Sequence, residues 1–260
     1  MPRSRGRILL PFCLVSACTP MDFVWDTKPS DELDAYLASF AAAAGTSIDA
    51  ARPAPAMLDT IANSRLVWLG DHHRSTHLHR LQLDLLGGLC AQGTRLAFVL
   101  EAIGTQDEGE VARWLAGRES LEVLRTTLRT RWPGSWLDAD DDLDAPFYRD
   151  LVAFAREHRI PIAALEATPR APIRQRDERM AERVRAAARA WPDRVVVVVV
   201  GQAHLLGAGD LVRRTGLGGL TIGGVPPARL AAAAVPRSPG FLRSNGGLWW
   251  FADLFADARG

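Results

Sequence analysis

The sequence contains few cysteines, histidines and tyrosines, and its positive and negative charges nearly cancel. Among 260 residues there are three cysteines, six histidines and two tyrosines, and the formal net charge is +1 at pH 7. A nucleic-acid-binding protein usually shows a basic excess on one face, and this sequence does not have one. Apolar residues make up 48% of the chain, which permits a sizeable core and disfavours disorder. The length suits one α/β domain.

The apolar run near the N-terminus is too short to span a bilayer as a stable helix. Three arginines precede the apolar residues 8–15, and small residues and Cys18 follow. This pattern is typical of a secretory signal peptide. Residues 14–18 (LVSAC) resemble a bacterial lipobox, which predicts cleavage before Cys18 and a lipid anchor on that residue. The alternative, a buried N-terminal helix, is disfavoured by Pro11 in its middle.

The cysteines agree with this prediction. Cys13 would leave with the signal and Cys18 would carry the lipid, so Cys90 would remain alone and no intramolecular disulfide could form. Cys90 lies in an apolar helical pattern, which favours a core position over a nucleophile. We therefore expect a lipoprotein of the cell envelope that faces the periplasm, anchored in the outer membrane.

Three regions follow from the distribution of turn residues and apolar runs. Residues 1–18 are the predicted signal peptide, residues 19–55 a tether with an N-terminal helix over 31–44, and residues 56–260 an α/β domain. Within this domain, residues 105–159 interrupt the strand–helix rhythm, and we expect them to form a helical cap. The acidic run 138–144 lacks the glycine and the distant glutamate of an EF-hand and reads as a solvated loop.

Short apolar runs alternate with helical patterns along the predicted domain, which is typical of a parallel sheet covered on both faces. The fold class is therefore α/β, a mostly parallel sheet flanked by helices with a small helical insert as a cap. The strands are predicted at 65–69, 95–100, 160–165 and 194–200, with a late strand (GLWWF) at the sheet edge, and the helices at 76–92, 173–191 and 205–215.

Four of the six histidines lie in one stretch, residues 67–82 (VWLGDHHRSTHLHRLQ). The cluster is consistent with a metal site, a catalytic site or a solvated helix start. It begins where a predicted strand ends, and ligands bind beyond the carboxyl ends of strands in open parallel sheets. The other predicted strands end at Glu101, Glu166 and His204. We therefore expect Asp71, His73, Glu101 and His204 to meet at one rim.

Structural roles compete with functional ones at these positions. Asp71 is equally well suited to cap the next helix. His72, His77 and His79 fit exposed helix-start residues. A zincin site is excluded because its motif requires glutamate directly after the first histidine, where Arg74 stands.

His204 is the stronger functional candidate, because it follows six consecutive valines, and a polar group there is costly unless it reaches solvent or a partner. For Glu166 a structural salt bridge, to Arg170 or Arg174, is the expected role.

Four segments together resemble the ChaN-like haem-binding lipoproteins, a family in the superfamily of erythromycin esterases and TIKI proteases. They span about residues 60 to 230 and lie behind the predicted lipobox. The segments are Gly70-Asp71-His72-His73 with the later Gln82, Phe98-Val99-Leu100-Glu101, Gln175–Ala181, and Gly201-Gln202-Ala203-His204.

The resemblance implies haem binding, dimers with stacked haems in the described case, and a part in iron acquisition. The enzymes of the superfamily imply ester or peptide hydrolysis instead. This sequence departs from the family pattern in that Asp71 stands where glutamate is usual and Glu166 stands where asparagine is expected. The family ligates haem through tyrosine, and only Tyr36 and Tyr148 are available here; a histidine could ligate the iron instead.

Two main hypotheses follow. In the first, an envelope lipoprotein binds haem or another iron-containing ligand under the cap, where Trp132, Trp136, Phe147 and Tyr148 cover it. His73, His204 and Tyr148 are the candidate cofactor-binding residues.

In the second, Asp71, His73, Glu101 and His204 form a hydrolase site, with a divalent metal as an option. A third possibility is a binding lipoprotein whose ancestral catalytic site has decayed.

Overall fold

A computed structural model describes residues 31–131, 137, 144–167, 172–232 and 240–257. The predicted signal peptide, the lipidation site Cys18, the tether, Trp132, Trp136 and most of the acidic run lie outside these ranges. The helices of the described part are α1 (Asp31–Ala43), α2 (Ala54–Ala62), α3 (Thr76–Ala91), α4 (Glu108–Leu115), α5 (Leu121–Arg131), α6 (Ala145–Glu157), α7 (Ile173–Ala190), α8 (Leu211–Thr215), α9 (Ala228–Ala231) and α10 (Leu254–Asp257). Its strands are β1 (Ile48–Arg52), β2 (Leu66–Asp71), β3 (Leu96–Gly104), β4 (Ile162–Glu166), β5 (Val195–Gly201), β6 (Leu220–Ile222), β7 (Phe241–Ser244) and β8 (Trp249–Phe251).

The strands form one sheet in the order β1-β7-β8-β6-β2-β5-β3-β4. From β8 to β4 all neighbours are parallel, whereas β7 is antiparallel to both β8 and β1. The predicted fold class, a mostly parallel α/β sheet flanked by helices, is confirmed.

The valine run of β5 shows why the sheet is covered on both faces. Side chains alternate across a strand, so Val195, Val197 and Val199 join one core while the valines between them join the other. The first core includes residues of helices α2 to α6, and the second includes residues of α1, α7 and α8. A strand that is apolar on both sides therefore lies in the middle of the sheet.

Several local predictions were wrong. Strand β3 continues to Gly104, so Glu101 lies within the strand and not at its end. The helix predicted over 205–215 covers only Leu211–Thr215, because a short 3₁₀ turn, Gln202–His204, and a loop follow β5 first. The GLWWF strand lies inside the sheet between β7 and β6.

Strands β1, β6 and β7 were not predicted, and all three are only three to five residues long.

The segment between β3 and β4 contains α4, α5 and α6. Its action as a cap stays a prediction, as do the domain boundaries. Within the described ranges, no helix is both long enough and apolar enough to cross a membrane.

Candidate functional site

The four residues expected at one rim all line a single cavity of about 530 Å³. Asp71 ends β2 directly beside Gly201, which ends β5. Gly201 shows how closely the side chains converge, since a Cβ there would lie 3.4 Å from Glu101 Oε2, 3.6 Å from His204 Cδ2 and 3.8 Å from His73 Cε1. Parallel strand ends and the loops after them therefore deliver Asp71, His73, Glu101 and His204 to one place.

Asp71 is the centre of a buried hydrogen-bond network and does not cap α3. Ser75 caps α3 instead, accepting a hydrogen bond from the backbone N–H of Leu78. The Asp71 carboxylate accepts hydrogen bonds from Tyr148 (2.6 Å), His73 Nδ1 (2.9 Å) and His79 Nε2 (2.7 Å). Burial alone would raise the pKa of Asp71, but the hydrogen bonds from the two histidines outweigh it and hold that pKa well below its usual range.

His79 is not the exposed helix-start residue that we expected, because it is almost completely buried. Its Nδ1 lies 2.8 Å from Asp144 Oδ2, and its ring stacks on Phe147 with centroids 3.9 Å apart. Carboxylates thus face both of its ring nitrogens, and the contacts join α3 to the start of α6. His72 is exposed and His77 is partly exposed, in line with the prediction.

Glu101 is held by an arginine and a backbone amide. Its Oε1 accepts a hydrogen bond from Arg176 Nη2 (2.8 Å), and its Oε2 accepts one from the Gly201 N–H (2.7 Å). Burial would raise the pKa of Glu101, but His204 and Arg176 lower it to about 2. Glu166 also accepts a hydrogen bond from Arg176 Nε (3.0 Å), so it takes part in a salt bridge as expected. The partners named from the sequence, Arg170 and the side chain of Arg174, lie outside the described part of the chain.

His204 is oriented by a carboxylate on α7. Its Nδ1 lies 2.6 Å from Asp177 Oδ1, and the Tyr36 hydroxyl donates to the same carboxylate at 2.9 and 3.0 Å. A neutral imidazole carries one proton, so donation from Nδ1 to Asp177 leaves a lone pair on Nε2. That Nε2 lies 3.7 Å from Glu101 Oε1, at the cavity.

Sequence reasoning did not select five residues that hold this site: Tyr36, Asp144, Arg176, Asp177 and His79. Two of them, Arg176 and Asp177, lie in a segment that carried the family resemblance, so the signal was present but was not read as a site. Tyr36 is 168 residues from His204 in the chain, and no local pattern indicates that contact.

The candidate cofactor residue Tyr148 lies behind Asp71 and is not among the residues that line the cavity. Burial and the nearby Asp71 raise the pKa of its hydroxyl far above the usual value, which disfavours a phenolate in this arrangement. The described residues contain no group of three or more His, Cys, Asp or Glu side chains arranged to hold a metal ion. The geometry therefore does not support the optional divalent metal.

Residues 57–175 match the family model described as "Haem-binding uptake, Tiki superfamily, ChaN". No curated protein sequence matches the chain.

Among solved structures, the chain is similar to ChaN of Campylobacter jejuni, described with cofacial haem binding, at 11% identity over 65% of this chain and 83% of that one, with a TM-score of 0.44. It is also similar to the type III effector HopBA1, at 16% identity over 62% and 77%, with a TM-score of 0.43. The similarity to the toxin effector domain RRSP of Vibrio vulnificus is at 17% identity over 84% and 39%, with a TM-score of 0.46.

The lowered pKa of Glu101 predicts a specific dependence of stability on pH. A carboxyl whose pKa is lower in the folded state stabilises the fold above its unfolded pKa of 4.5, and this contribution is lost as pH falls toward 2. Glutamine does not ionise, so Glu101→Gln should lack this contribution. We expect its free energy of unfolding to fall roughly 2 to 3 kcal/mol less than that of the wild type as the pH is lowered. Urea denaturation at pH 6, 4.5 and 3 measures it.

The control is Glu122→Gln, because the Glu122 side chain is 73% exposed. We expect it to keep the wild-type pH dependence. If the wild type and Glu101→Gln lost equal stability between pH 4.5 and 3, the pKa of Glu101 would not be lowered in the folded state.

Proposed function

Through residues 57–175 this chain belongs to the ChaN-like haem-binding family of the Tiki superfamily, and on that premise we propose that it binds haem in the cavity where β2 and β5 end and serves haem or iron uptake in the cell envelope. The observation that carries the proposal is the Asp177–His204 pair. Ligating histidines commonly donate their second ring N–H to a carboxylate, which fixes the ring and raises the basicity of the other nitrogen.

The cavity lining fits a porphyrin. Leu33, Leu37 and Ile173 offer apolar contacts, and His204 offers a ring nitrogen. The volume of about 530 Å³ lies within the range of ordinary ligand sites. When bound, haem would supply an iron that accepts a nitrogen ligand; His204 would offer that nitrogen, and Leu33, Leu37 and Ile173 would contact the ring.

The lipid anchor and the location in the cell envelope are proposed from the N-terminal sequence, and the homodimer from the family resemblance. The lipobox-like residues 14–18 support a lipid on Cys18 and an anchor in the envelope, with the domain facing the periplasm from the outer membrane. The lipid is tested by mass spectrometry of the membrane fraction, where Cys18→Ala should abolish the added acyl mass.

Haem binding is tested by titrating haemin into the purified soluble domain. We expect a Soret shift with the wild type, and a haemin affinity roughly tenfold or more lower for His204→Ala, because the imidazole nitrogen offered to the iron would be lost. The matched control is His158→Ala, because His158 packs on Phe154 and does not line the cavity. The absence of a Soret shift in the wild type would end the proposal, and equal affinities for the two variants would remove His204 as the ligand.

A hydrolase is the second candidate, favoured by the same Asp177–His204 pair with Glu101 opposite. In this function His204 Nε2 would take a proton from a water or a substrate hydroxyl, while Asp177 stabilises the imidazolium that forms. Arg176 and the Gly201 N–H would keep Glu101 ionised beside it.

The hydrolase is tested with a panel of ester substrates and metal analysis of the purified protein. If the protein hydrolyses any of them, we expect His204→Ala to lower the rate roughly 10²- to 10⁴-fold, because proton transfer in the transition state is lost. Activity that is unchanged in His204→Ala would remove the hydrolase from consideration.

A further inference from the structure

Helix α1 presents two exposed leucines to the cavity. Among the described residues, the large apolar side chains that are exposed are Leu33, Leu37, Val123 and Leu217. Single exposed apolar residues are ordinary. Leu33 and Leu37, however, are four residues apart on one helix, so they share a face, and both line the cavity that contains His73 and His204.

The neighbouring side of α1 is fixed to α7 and to the loop that follows β5. Tyr36 is 3% exposed, and its hydroxyl donates to Asp177. Ser39 Oγ accepts a hydrogen bond from the Ala208 N–H at 2.7 Å. Gly209 leaves room for the Tyr36 hydroxyl, because a Cβ at this position would collide with it. The two leucines are thus held in place before any ligand arrives, which lowers the entropy cost of binding.

We propose that α1, which precedes the family-matched residues 57–175, forms an apolar wall of the ligand site, with Leu33 and Leu37 packing against the flat face of a porphyrin ring. The proposal rests on the proposed haem function and adds a part of the chain that the family match does not cover. A porphyrin is the expected occupant because the cavity has both an apolar wall and an imidazole. Paired leucines suit an apolar ring, while the imidazole of His204 suits a metal within that ring.

A lipid surface fits this helix less well. Asp31, Glu32 and Asp34 lie in the first turn of α1, next to Leu33. Membranes with anionic lipids attract basic segments and repel acidic ones. The apolar face also opens into the cavity instead of lying on a flat outer surface.

The test compares two probes, haemin and metal-free protoporphyrin IX, in titrations followed by absorbance and fluorescence. The double variant Leu33→Gln/Leu37→Gln keeps helix propensity, since leucine and glutamine are similar helix formers. We expect it to weaken the binding of both probes roughly 10- to 100-fold, because apolar contact with the ring is lost whether or not a metal is present. His204→Ala should weaken the binding of haemin only.

The control is Val123→Gln, because Val123 is as exposed as Leu37 and lies on α5, outside the cavity lining. It should bind both probes like the wild type, and all variants should keep the wild-type circular dichroism spectrum. Wild-type affinity of the double variant for both probes would overturn the inference, as would a wild type that binds neither probe.

The remaining outcomes separate this inference from the haem function. Leucine-dependent binding of protoporphyrin without any binding of haemin would refute the haem function and support the apolar wall. Haemin binding that does not depend on the two leucines would support the haem function and refute the proposed role of Leu33 and Leu37. A double variant that changes only the oligomeric state of the ligand-free protein would overturn the wall in favour of an interface between two copies.

Discussion

Four buried carboxylates lie in and around the candidate site, and the arrangement of the site depends on how they are paired. Asp71, Glu101, Glu166 and Asp177 are each at most 6% exposed. An ionised carboxylate out of water is very costly unless charged or hydrogen-bonding groups surround it. The fold supplies these groups from helices and loops that are far away in sequence, and some of them, such as Arg176 and Tyr36, also line the cavity.

This pairing connects the sheet to the helices around it. Tyr148 joins α6 to Asp71, Arg176 joins α7 to Glu101 and Glu166, and Tyr36 joins α1 to Asp177. Removing one partner would leave a buried charge uncompensated, so substitutions among these residues are expected to lower the stability of the fold. The same pairing sets the chemistry of His204, because Asp177 selects the ring nitrogen that faces the cavity.

The sequence alone was sufficient for the four adjacent parallel strands β2, β5, β3 and β4 and for the convergence of the four candidate site residues. Apolar runs predicted β2 to β5, and the rule that ligands bind at carboxyl strand ends brought Asp71, His73, Glu101 and His204 together. The short strands β1, β6 and β7 were missed because their pairing is decided by the rest of the sheet and not by their own residues.

The positions of His79 and Tyr36 were also missed because contacts with residues distant in sequence decide them. His79 was expected to be exposed at the start of the helix, yet its hydrogen bond to Asp71 and its stacking on Phe147 hold it inside. The contact of Tyr36 with His204 spans most of the chain and depends on how α1 packs, which no local pattern encodes.

The most direct measurement is ¹⁵N-edited NMR of the imidazole N–H protons in the ligand-free protein with labelled histidine. If buried carboxylates organise the site, His79 and His204 will give low-field N–H signals that exchange slowly with water. The His79 signal from the nitrogen facing Asp71 will disappear in Asp71→Asn, and the His204 signal in Asp177→Asn. Rapid exchange of all six histidines in the wild type would contradict the account.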